Sequence, residues 1–398
     1  MQRIHIVGGG LAGLTAAVTA AESRTPVTLH EAHHTLGGRA RTSDGPYLTN
    51  EGPHALYRRG PHWTWLEQRG LLGPIASVPP LEGTRFLFRR DGALRRTPPL
   101  AMLRLTRRSA RTAPVDTDFL SWATGQVGEE GARAAAHYMG VALFHHAPGS
   151  LSAAFVQERL RRATALPPEA HYPVGGWARL VDRMASRAWN LGVRIETDAR
   201  VGPRDLAVLR RGGPVIVATH LDSARTLLED PTLTWDSGRT VLLDLALKTR
   251  RGDPFIVSDL DAPGWIERFT AQDPTLAPPG EQLIQAQVPL APGAPRADAV
   301  RRAEDLLDLG FAGWRDRVTW RREALASGRT GAVDKPGTTW RDRPAVDRGD
   351  GTLLAGDQVA APGLLSEVAF NSGIEAAVLA LKLLGRTAPD VPRTAGTA

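Results

Sequence analysis

The chain has 398 residues, 42% of them hydrophobic, with 49 basic against 42 acidic side chains for a net charge of +7. That length supports two domains and a substantial core. The lack of any cysteine excludes disulfides, thiolate metal sites and cysteinyl cofactor attachment, and no apolar run reaches the roughly eighteen residues that a membrane-spanning helix needs.

The N-terminus carries the densest signal. Ile4-His5-Ile6-Val7 predicts a short strand, Gly8-Gly9-Gly10-Leu11-Ala12-Gly13 spells G-x-G-x-x-G, and the Ala-rich stretch Leu14 to Ala21 predicts a helix. A second apolar run, Val27 to His30, ends at Glu31, followed by Ala32 and a second glycine pair, Gly37-Gly38, with Arg39. This order is that of a dinucleotide site. Gly8 permits the tight turn, Gly10 lets backbone amides approach a pyrophosphate, and Gly13 lets the helix lie close to the sheet. The pyrophosphate then sits at the helix N-terminus, at Leu11 and Ala12, where unpaired N–H groups and the helix dipole favour an anion. Glu31 is placed to accept from an adenosine ribose. A secretory signal is rejected, because cleavage would remove the glycine turn.

The next segment holds the excess charge. Arg85 to Arg111 contains nine arginines against one acid, Asp91, a local excess larger than that of the whole chain. It reads as a solvated face, with docking to an anionic membrane or an acidic partner as the competing reading. No nucleic-acid-binding motif accompanies it. Helical text follows at Gly131 to His145 and at Leu151 to Ala163. Trp177, Leu180, Val181, Met184, Ala188 and Leu191 recur at helical spacing on one face, with Gly192 as the terminating residue. Strands are expected at Val193 to Glu196 and Pro214 to Thr219, and a half-exposed strand at Val241 to Lys248. A further helix is expected at Ala297 to Leu309. The eleven histidines show no helical metal-ligand spacing, so no metal site is expected.

Three separated motifs carry a family resemblance: Leu36-Gly37-Gly38-Arg39-Ala40-Arg41-Thr42 after Glu31, Glu51-Gly52-Pro53-His54, and Leu353-Leu354-Ala355-Gly356-Asp357 with Ala369 to Ala377. Together they resemble the flavoprotein superfamily of phytoene desaturases, protoporphyrinogen oxidases and amine oxidases, most of all its desaturase-like branch. The resemblance implies FAD as cofactor and an α/β fold. A discontinuous, Rossmann-type FAD-binding domain of glutathione-reductase-like form is expected at 1–75, 168–235 and 330–398. An inserted α+β substrate domain is expected at 76–167 and 236–329. It also implies that Asp357 binds the ribityl chain, that a helix N-terminus at Asn371, Ser372, Gly373 and Ile374 faces the flavin pyrimidine, and that Gly52, Pro53 and His54 pass the flavin ring. Val201 falls where the family's backbone pairs with the adenine. The family often has Arg two residues before the glycine pair; Thr35 stands there, which shifts the pyrophosphate's support to Arg39 and backbone donors.

The resemblance further implies chemistry at the flavin, with the protein positioning substrate rather than attacking it. His54 is the candidate general base, against a histidine that only hydrogen-bonds flavin or backbone. Phe370 is expected to face substrate, against a core position beside the helix start. Lys335 reads as a surface turn residue. The expected reaction is hydride removal from carbon of a hydrophobic small molecule, a desaturation or dehydrogenation. An amine or amino-acid oxidase and a redox-neutral isomerase remain alternatives. The protein is expected in the cytoplasm, with peripheral membrane contact left open through the basic segment.

Overall fold

A computed structural model describes residues 2–51, 55–107 and 111–392. The short apolar runs form a five-stranded sheet in the order Thr352–Leu354, Val215–Val217, Ile4–Val7, Val27–His30, Arg194–Glu196. Every neighbouring pair is parallel. The inner strands are covered on both faces, which is why they read as unbroken apolar runs. The helix Leu11–Ala21 packs against both Trp177–Asn190 and Ser366–Leu383. Its buried alanines, Ala12, Ala16, Ala17 and Ala20, keep the helix surface low enough for that approach.

The helix Trp177–Asn190 buries Trp177, Leu180, Val181, Met184 and Ala188 as its spacing requires. Gly176 has no side chain to cap it. Asn50 Oδ1 instead accepts from the Trp177 amide at 3.3 Å and Thr42 Oγ1 from the Ala178 amide at 3.0 Å. The segment after the second glycine pair thereby clamps this helix.

A second sheet has seven strands in the order Val318–Ala332, Ser237–Lys248, Glu281–Pro289, Gly264–Arg268, Ile256–Asp259, Phe86–Arg90, Ala93–Arg95. Its neighbours are antiparallel except Ile256–Asp259 with Phe86–Arg90. One face, with Val241, Leu243, Leu245, Leu247, Ile284 and Val288, packs on the helix Arg296–Gly310. The strand expected to be half-exposed is therefore buried on both faces. Its alternate residues Leu242, Asp244 and Ala246 are also covered, because this strand lies inside the sheet and its second face looks inward. There Asp244 accepts from Gln285 at 2.5 Å and from Arg322 Nε at 2.9 Å, and Arg322 also donates to the Asn50 carbonyl.

Helices Leu100–Arg104, Phe119–Ala142 and Ala153–Ala163 supply a separate core. The long one begins well before Gly131, capped by Asp118 accepting from the Ser121 amide, and is interrupted at Gly128, where φ is 78°. A small antiparallel sheet, Leu56–Tyr57, Ala170–Pro173 and Ile75–Ser77, lies between the two larger sheets in chain order. Ile75–Ser77 and Val318–Ala332 run across the expected domain limits at 75/76 and 329/330. No helix among the described residues is long and apolar enough to cross a membrane.

Candidate functional site

The glycine turn is built as the spacing requires. A Cβ on Gly13 would lie 1.9 Å from the Gly8 carbonyl oxygen, and Gly8 itself, at φ +109°, backs onto the Ala218 carbonyl. Both glycines are consumed by packing. Gly10 differs: a Cβ there would meet only Gly37 O at 3.8 Å and Gly38 Cα at 4.0 Å. Gly10 is the N-cap of the helix and offers no side chain to its first amides, those of Leu11, Ala12 and Gly13. Gly37 bridges to this turn, its amide donating to the Gly9 carbonyl at 2.8 Å. Two glycine-lined backbones thus face each other across a gap at an uncapped helix N-terminus, a donor set suited to a phosphate anion.

Glu31 ends its strand with its carboxylate folded back on the turn. Oε2 accepts from the Gly9 amide at 2.7 Å, and Oε1 accepts from the His33 amide at 3.0 Å and meets the His33 ring at 2.7 Å. Burial pushes this carboxyl up, but the Gly9 amide and the His33 contacts outweigh it and the net shift is downward. Glu31 is therefore an anion that still has lone pairs to offer. His33 is the ring that supports it. Beyond Ala32, the Ala199 amide donates to the Glu31 carbonyl, and Val201 is half-buried against the core of the parallel sheet.

The C-terminal motif reaches the same place. Arg39 and Asp357 form an ion pair at 2.5 Å, joining positions 318 residues apart in sequence. Ser372 clasps the end of the strand, accepting from the Gly356 amide at 2.9 Å and donating to its carbonyl at 3.0 Å. The helix, however, starts at Ser366, so Asn371, Ser372, Gly373 and Ile374 lie inside it. Their amides serve the helix itself, which corrects the expectation that they face a cofactor. Its start is set by Glu367, which accepts from the Leu364 amide and is held bidentately by Arg162 at 2.7 Å. Gly373 instead allows close helix contact: a Cβ would sit 2.5 Å from the Ala12 carbonyl oxygen.

Phe370 is corrected as well. It is 0% exposed, in the core of the parallel-sheet domain, with Trp65 and His62 as its ring neighbours. Its place on the helix turns it towards that core rather than towards a substrate. Gly52, Pro53 and His54 lie outside the described residues. Lys335 pairs with Asp236 at 2.6 Å on the surface.

The sequence did not point to the other cluster. The chain has four tyrosines; one of them, Tyr172, hydrogen-bonds Glu267, whose charge also helps raise the hydroxyls of Tyr57 and Tyr138. Glu267 is 2% exposed. Tyr172 donates to its Oε1 at 3.0 Å and Gln272 Nε2 donates to the same oxygen at 2.7 Å. No cation pairs with it among the described residues, and burial pushes its carboxyl up to about 7 against those two hydrogen bonds. Burial likewise raises the Tyr57 and Tyr172 hydroxyls and pushes that of Tyr138 up to about 12. Tyr138 and Tyr172 are nonetheless only half-buried. Phe86 stacks on Phe88 at 4.7 Å and lies 6.5 Å from Tyr138, while Phe269 packs edge-on to Tyr172. The only available sequence signal was the rarity of tyrosine.

Residues 6–71 match the family described as NAD(P)-binding Rossmann-like domain. No curated protein sequence matches the chain. Among solved structures, an oxidoreductase from Methanosarcina mazei is similar at TM-score 0.70 and 17% identity, covering 94% of this chain and 99% of the other. Cyclohexylamine oxidase from Brevibacterium oxydans is similar at TM-score 0.71 and 14% identity, covering 97% and 100%. Reduced UDP-galactopyranose mutase is similar at TM-score 0.67 and 14% identity, covering 96% of each chain. The chain thus shares the fold of these proteins, and its parallel sheet draws strands from both ends of the sequence.

Proposed function

We propose that this chain is an FAD-dependent oxidoreductase that removes a hydride from carbon of a largely hydrophobic small molecule. The observation that carries this reading is the meeting of the open glycine cradle with the C-terminal arm through Arg39 and Asp357. A nicotinamide site needs the glycine turn and the acidic residue; the additional C-terminal Gly-Asp arm supports a flavin. In this reading the amides of Leu11, Ala12 and Gly13 hold the pyrophosphate, Glu31 the adenosine ribose, and Asp357 the ribityl chain, with Arg39 neutralising phosphate charge. FAD, when bound, supplies the two-electron acceptor. The chain's own contribution is aromatic surface, Phe86 against Phe88 and Tyr138 and Phe269 against Tyr172, which favours an apolar substrate body over water.

The test is direct. Purified protein is expected to be yellow and to release FAD, rather than FMN, on denaturation, and Glu31→Ala is expected to weaken FAD retention by about 1.5–3 kcal/mol. Colourless protein that binds NAD and has no flavin affinity overturns the reading. Anaerobic bleaching of the flavin by a substrate with net product supports oxidation; bleaching without net turnover supports a redox-neutral reaction instead.

A further inference from the structure

Glu267 has an unusual hydrogen-bond inventory. A carboxylate offers about four acceptor sites, and among the described residues only the Tyr172 hydroxyl and the Gln272 amide supply donors, both to Oε1. Gln272, 7% exposed, leaves its own Oε1 buried with no partner. Gln272 Oε1 is thus a buried acceptor without a donor, where unsatisfied polar atoms are costly, and it belongs to a side chain held against a carboxylate that receives its donors at one oxygen only. Among the described residues no arginine or lysine answers them, whereas several other inward carboxylates are paired: Asp244 with Arg322, Asp334 with Arg343, and Glu367 with Arg162. The Phe269 ring packs edge-on to Tyr172, 6.1 Å between centroids.

We propose that Glu267 and Gln272 bind the hydrogen-bond-donating head, an amine or a hydroxyl, of a substrate whose body is apolar. Each residue has a distinct part. Gln272 and Tyr172 hold the Glu267 carboxyl in one orientation, leaving its other oxygen and the Gln272 carbonyl oxygen to receive N–H or O–H donors. The tyrosine and phenylalanine rings cover the apolar body and, for an ammonium head, add attraction from their faces. The inference deepens the flavoenzyme reading, on which it rests for the chemistry after binding, by naming the substrate's polar end. Tyr57, Tyr138, Tyr172 and Glu267 come from a two-residue strand, a long helix, the middle strand of the small sheet and the seven-stranded sheet. Their convergence is a product of the tertiary fold.

A donor reaching Glu267 favours its charged form and lowers its titration point. Isotope-edited infrared titration of glutamate carboxyls in the purified protein reads this directly, with 1-hexanol, hexylamine and hexanoate as probes. A carboxyl titrating near neutrality is expected in the wild type and absent from Glu267→Gln. Its titration is expected to move to lower pH with hexylamine, with 1-hexanol, or with both, and not with hexanoate. Movement with the amine alone assigns a cationic head, and movement with 1-hexanol a neutral one. Tyr172→Phe, which keeps the ring, is expected to raise the titration further and to weaken probe binding about tenfold. An unmoved titration with both donor probes, an equal response to hexanoate, or probe binding unchanged in Tyr172→Phe overturns the proposal. Failure of the flavin reading shows separately, as a colourless preparation whose carboxyl titration is still measurable.

Discussion

Replacing Glu267 by Gln isolates one buried charge. The folded protein holds this carboxyl up at about 7, whereas its ordinary value is 4.5. That gap corresponds to about 3 kcal/mol at 1.36 kcal/mol per unit. The sign follows from proton linkage. Below the unfolded value the carboxyl is neutral in both states and burial is tolerated. As pH rises through the folded value, the unfolded chain has already lost its proton and the folded chain must bury a charge, so stability falls. Gln cannot ionise, and it retains an acceptor for Tyr172 and a polar partner for Gln272. The stability difference between Glu267→Gln and wild type is therefore expected to move by about 3 kcal/mol in the variant's favour between about pH 4.5 and about pH 8. Urea unfolding followed by tryptophan fluorescence at both pH values measures it, and the pH dependence common to both proteins cancels. Parallel stability profiles for the two proteins would refute the account of Glu267 as an uncompensated buried carboxyl.

Three further outcomes are expected. Phe370→Ala is expected to cost about 3–5 kcal/mol of stability by opening a cavity among Trp65 and His62; an unchanged unfolding midpoint with altered flavin reduction would return Phe370 to the substrate side. Gly373→Ala is expected to destabilise by about 1–3 kcal/mol, because its Cβ must displace the helix backbone at Ala12, and calorimetry of the variant checks this. The protein is expected to stay in the supernatant of anionic vesicles at low salt, since Arg85, Arg89 and Arg90 are paired with Glu82, Asp259 and Glu130. Salt-sensitive cosedimentation would favour membrane docking by the basic segment.

The elements most legible in the sequence were those specified by near neighbours. A strand, a glycine turn and a helix announce themselves within twenty residues, because Gly8, Gly10 and Gly13 each answer a backbone constraint imposed by the next few positions. The helix Trp177–Asn190 was equally legible, since its buried residues repeat every three or four positions and nothing distant alters that period. Tertiary context decided the rest. The helix start at Ser366 depends on Arg162 reaching Glu367 from a different helix, so the local text around Gly373 could not locate it. The inward burial of Leu242 and Asp244 required knowing that the second face of their sheet is covered as well as the first. The burial of Phe370 was not legible locally because its ring neighbours, His62 and Trp65, come from a helix some three hundred residues earlier in the chain. Tyr57, Tyr138, Tyr172 and Glu267 have no shared motif or period. Only the packing of the small sheet and the long helix under the seven-stranded sheet brings an unpaired carboxyl and three phenols together, because long-range contacts leave no spacing in the sequence to read.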